Sequence, residues 1–89
     1  MNDCSQHKKD LFGHSDMKEV AEAIGDLHYE TLAELIDQLS KKISLDGLKD
    51  ETHGRVELAA NLFMVAGHLA KAHVFASWAY EISKPFMKQ

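Results

Sequence analysis

Apolar residues recur at steps of three and four along two long stretches of this chain, and that spacing limits what it can fold into more than any other feature. The first set is Val20, Ile24, Leu27, Leu32, Leu35, Ile36, Leu39 and Ile43; the second is Leu58, Leu62, Val65, Leu69, Ala72, Ala76 and Ala79. Side chains three and four apart share one side of a helix with 3.6 residues per turn, whereas a half-buried strand needs alternation at two. No alternating run of that kind is present, so the sequence predicts an all-α fold.

Local signals place the helix ends. Asp16 followed by Glu19 resembles a capping box, which starts the first helix at residue 16. Gly25 lies inside the first apolar set and costs about 1 kcal/mol relative to alanine. The stripe continues beyond it, so one unbroken helix is expected over 16–45. The stretch LDGLKDETHGR reads as the turn, with Gly47 in the left-handed position that closes a helix and Asp50 capping the next. The second helix is expected over 51–83, stopped by Pro85, because the residue before a proline is pushed out of helical geometry. Residues 1–14 form a polar arm with Leu11 and Phe12 as apolar anchors, and 84–89 a short tail. Two long helices on a short connection pack as an antiparallel hairpin.

A chain of 89 residues buries only about 60 % of the surface its unfolded form exposes, so a core of its own is marginal. The Leu58–Ala79 row is the expected seam against the first helix, with Ala59, Phe63, Ala66 and Ala70 widening it. Ala60, Gly67 and Ala70 lower the surface enough for another backbone to come close. On the opposite side the second helix is polar early, at Glu57, Asn61, His68 and Lys71, and apolar late, at Phe75, Trp78 and Ile82, with Phe86 beyond. A hairpin has one mutual interface and cannot cover both sides. The expected cover is a second copy, two hairpins making a four-helix bundle with a homodimer favoured; the arm folding back and a different protein are the alternatives.

The formal charge of −4 and the absence of a basic stripe argue against nucleic-acid binding, which rests on phosphate neutralisation. MNDCSQHKKD holds no apolar core of a signal peptide. The most apolar stretch, residues 58–70, is shorter than a bilayer span and bracketed by Glu57 and Lys71. A cytoplasmic protein with no membrane partner is expected, and the single cysteine, Cys4, fits a reducing compartment.

Three groups of residues bear on chemistry. Glu19, Glu22, Asp26, Glu30, Glu34 and Asp37 make an acidic stripe along the first helix, read as a solvated face, with docking of a basic partner or a weak divalent-cation surface as the functional alternatives. Lys49, His53 and Arg55 gather near the second helix's N-terminus, where an anion would find backbone N–H groups; the simpler reading is an arginine bridging to a carboxylate of the first helix. Among six histidines, His68 and His73 are five apart and turned about 140° from each other, too far for shared ligation. Cys4 and His7 have ligand-like spacing with nothing to complete a site. No Glu-x-x-His pair occurs, and His73 reads as a core histidine. No serine is paired with a histidine and an acid at a readable spacing, and there is no glycine-rich phosphate loop. The expectation is a non-enzymatic helical interaction protein, without metal or cofactor, acting as a homo-oligomer. The second reading is a protein that binds an anionic metabolite or nucleotide at an oligomer interface.

Overall fold

The computed structural model describes residues 16–86. They form three helices, α1 (Met17–Gly25), α2 (Tyr29–Thr52) and α3 (Val56–Ser83), and a 3-10 turn at Lys84–Phe86. There is no strand among the described residues.

Asp16 caps α1 as its sequence position implies: its backbone is extended and its carboxylate accepts the Lys18 N–H at 3.0 Å. The single helix expected over 16–45, however, is two. α1 ends at Gly25, the chain turns through residues 26–28, and α2 begins at Tyr29. His28 supplies the reason. Its Nδ1 accepts the Glu30 N–H at 3.2 Å, so the second segment has its own N-cap, directly after a glycine that holds a helix poorly.

The turn also lies further along than expected. Gly47 and Asp50 are both inside α2, which runs on to Thr52, and the reversal is made by residues 53–55 with Gly54 at φ 82°. Only glycine takes that left-handed backbone without strain. Asp50 does not cap the next helix; its carboxylate accepts from Arg55 Nε at 2.7 Å, while its carbonyl accepts the Arg55 N–H at 2.9 Å. Both bonds tie the end of α2 to the start of α3. α3 therefore begins at Val56 rather than at 51, and ends at Ser83 as Pro85 requires.

Two cross-helix bonds fix the hairpin. Ser40 Oγ donates to the Ala66 carbonyl at 2.9 Å, and His73 Nδ1 lies 2.9 Å from the Ala33 carbonyl. Each step back of seven on α2 is a step forward of seven on α3, which is an antiparallel pair in heptad register. The buried residues follow the same beat: Ala33, Ser40 and Gly47 on α2, Ala59 and Ala66 on α3. His73 is half-buried in line with them. So the seam is the row of small residues, and the Leu58–Ala79 row flanks it, with Leu58, Leu62 and Leu69 half-buried and Val65, Ala72 and Ala79 exposed. Small side chains win because the distance between helix axes is set by what faces across it, and a serine reaches the opposite carbonyl only when the backbones are close. At Gly47 an added Cβ would come within 2.7 Å of the Phe63 ring.

That seam specifies geometry but buries little. The buried hydrophobic residues among those described are Val20, Ala33, Ala59 and Ala66, and no large side chain is fully buried. At about 0.8 kcal/mol per buried CH₂, alanines contribute modestly.

Candidate interaction surface

Because α2 sits over the Ala59–Ala66 row, the residues about 120–180° round α3 face away from the hairpin. On that arc the side chains at the C-terminal end stand well out: Phe75 is 64 % exposed, Trp78 57 %, Ile82 68 % and Phe86, in the 3-10 turn, 80 %. Phe75 and Trp78 meet edge to face, ring centroids 5.3 Å apart at 84°, a favoured aromatic geometry. Trp78 is thus braced by its neighbour while its outer face stays open.

Three turns earlier the same arc is hollow. Phe63, Met64, Gly67, His68 and Lys71 line a recess of about 190 Å³, and an added Cβ on Gly67 would meet nothing within 4 Å. Gly67 and Trp78 are eleven residues apart, so their directions differ by only about 20°. A second apolar patch flanks the seam on its other side, where Leu35, Leu39 and Val65 are exposed. A shallow groove of about 330 Å³ lies at the α1–α2 break, lined by residues 25–29.

One aromatic contact joins the C-terminal end of α3 to the start of α2, and the charged contacts beside it are local to α3 and the 3-10 turn. Tyr80 lies 5.6 Å from the His28 ring, and Lys84 Nζ stands 4.9 Å over the Tyr80 ring. Lys84 Nζ is 3.1 Å from Glu81 Oε1; the hydrogen bond it donates to that carboxylate, then the carboxylate's charge, holds the ammonium above the ordinary lysine value.

The other expected groupings do not form open sites. Lys49 is exposed, and its carbonyl accepts from Thr52 Oγ1 at 2.8 Å and lies 2.7 Å from His53 Nδ1; Arg55 is engaged by Asp50. The three residues close the turn and place a carboxylate at its centre. The acidic stripe is divided by the break, with Glu19 and Glu22 on α1, Asp26 within the break, and Glu30, Glu34 and Asp37 on α2. Asp37 pairs with Lys41 at 3.1 Å. No group of three or more His, Cys, Asp or Glu residues among those described is placed to hold a metal ion. Cys4 and His7 lie outside the described residues. Val56–Phe86 is long and apolar enough, by length and composition, to cross a membrane, with Glu57, Lys71, Glu81 and Lys84 along it.

Comparison of the chain with protein-family models, with curated proteins and with solved structures finds no match.

Proposed function

We propose that the protein is a non-enzymatic interaction module that pairs with itself through the outer face of α3, centred on Phe75, Trp78, Ile82 and Phe86. The observation that carries this reading is an aromatic row left open on a hairpin that fully buries no large side chain of its own. Exposed apolar clusters of this size mark contact surfaces, and small scaffolds commonly gain their missing core by association.

Lys71, midway along the apolar helix, favours a water-facing assembly over a bilayer span, in keeping with a cytoplasmic protein. Binding of an anionic ligand at Lys49, His53 and Arg55 has less behind it, since Asp50 already takes the Arg55 Nε.

Sedimentation equilibrium of the full chain tests the reading. The expected mass is twice the 10.0 kDa of one chain, falling to that of a single chain for Trp78→Ala with a loss of helicity. A wild-type chain that sediments as a monomer refutes it.

A further inference from the structure

We infer that the two α3 helices of the pair run antiparallel about a twofold axis and that Trp78 of each copy inserts into the Gly67 recess of the other. The inference rests on self-pairing as proposed above, and it names the residues that meet.

An interface between two copies about a twofold must be self-complementary: whatever protrudes on one half of the patch must find its hole on the other half. The outer arc of α3 meets that condition within one helix. Its C-terminal half carries the protruding Phe75, Trp78 and Ile82, and its N-terminal half carries the recess. Parallel pairing would stack aromatic on aromatic and leave the recesses facing each other. Antiparallel pairing brings each protrusion to a recess.

The recess also has the form that a helical knob requires. A hole between helices is built from four residues of the facing helix at positions i, i+3, i+4 and i+7, and Met64, Gly67, His68 and Lys71 have that spacing. Glycine at the second of these leaves the floor open, so the hole accepts an indole where an alanine-lined one would take a smaller group. Lys71 stands at the rim, where its ammonium can lie over the indole face. With Trp78 opposite the partner's Gly67, Ile82 falls opposite the partner's Phe63 and Lys71 opposite the partner's Val74. Covering the exposed parts of Met64, Val74, Phe75, Trp78, Ile82 and Phe86 removes about 600 Å² a copy, taking on the order of 200 Å² for a whole aromatic side chain, which reaches the lower range of specific interfaces.

The test uses the full chain, in which Trp78 is the only tryptophan and so reports on itself. Gly67→Leu fills the recess from a position where the added Cβ meets nothing within 4 Å, and leucine is a better helix former than glycine, so helix content should hold or rise while dimerisation weakens at least about tenfold. Sedimentation and tryptophan emission are read together: a dimer with blue-shifted, iodide-shielded Trp78 in the wild type, and a helical monomer with exposed Trp78 in Gly67→Leu, are the expected results. A wild-type dimer lost in Trp78→Ala but kept in Gly67→Leu with Trp78 still shielded overturns this pairing and leaves self-association through the aromatic row standing. A dimer kept in both variants overturns the aromatic row too. A monomeric wild type overturns both readings, whether its Trp78 stays exposed or shifts only on adding phosphatidylcholine–phosphatidylglycerol vesicles, the second result pointing to a lipid surface.

Discussion

Gly47→Ala tests whether close approach of the two long helices holds the hairpin in register. Two effects oppose each other at this position. Alanine is better than glycine in a helix interior by about 1 kcal/mol, and Gly47 lies well inside α2. The new Cβ, however, would stand 2.7 Å from Phe63 Cε1, 3.0 Å from Cδ1 and 3.2 Å from Cζ, closer than carbon atoms pack. Overfilling of this kind costs about 1–3 kcal/mol, so the net change should run from near zero to about 2 kcal/mol of destabilisation. Phe63→Leu removes the nearest crowding atom, Cε1, together with Cζ, and in that background the same Gly47→Ala change should stabilise by up to about 1 kcal/mol. The sign reversal is the signature. It is read as a double-mutant cycle from urea melts followed by circular dichroism, with a coupling of about 1–3 kcal/mol. Should Gly47→Ala stabilise equally in both backgrounds, the seam is not closely packed at this level and the account of α2 against α3 is wrong.

Two further substitutions probe the ends of the helices. His28→Ala removes the acceptor for the Glu30 N–H and should cost about 0.5–2 kcal/mol, seen as faster amide exchange over the first turn of α2, whereas His28→Asn keeps a capping acceptor and should exchange nearly as slowly as the wild type. Arg55→Ala leaves the Asp50 carboxylate, of which 12 % is exposed, without its Nε partner, and should lower stability by roughly 1–3 kcal/mol; the melting temperature reports it, and an unchanged value shows that the turn is held by its backbone bonds alone.

Helix type was legible in the sequence because apolar spacing reports directly on it, and the ends at Asp16 and Ser83 were legible because a side-chain cap and a proline act locally. The break after Gly25 is written more faintly. The step from Leu27 to Leu32 is five residues, a turn of about 140° out of the stripe, and a histidine is an uncommon cap. The turn was misplaced because Gly47 and Gly54 read alike in one dimension. Which glycine takes positive φ and which gives up its side chain to a neighbouring ring depends on Phe63, sixteen residues further along the chain. The seam was misplaced for a related reason. A row of leucines promises more burial than a row of alanines, yet the face that packs is decided jointly by two helices, and α2 offers Ala33, Ser40 and Gly47 in phase with Ala59 and Ala66. Of the candidate interaction residues, Phe75, Trp78, Ile82 and Phe86 were legible as a row that the hairpin leaves uncovered. The recess at Gly67 was not, since an empty volume has no residue of its own to read.

The change of character along α3, polar at the outset and apolar at its end, follows from what each half has to meet. A helix apolar on most sides is ordinarily enclosed on most sides, yet only Ala59 and Ala66 of α3 are buried, because α2 covers one side and the residues about 100° either way are left to other contacts. On one of those sides the leucine flank is partly shielded by α2. On the other, Trp78 meets Phe75 of its own helix and is left 57 % exposed. For that outer side to be covered by a copy of itself, its two halves cannot be alike: a uniformly aromatic arc would present bulk to bulk, and a uniformly small one would bury too little to hold. On the proposed pairing, Glu57, Asn61 and His68 at one end and Phe75, Trp78 and Ile82 at the other keep the arc open to water where it would receive a side chain and apolar where it would supply one. In that pairing, the asymmetry along one helix is the form self-recognition about a twofold takes.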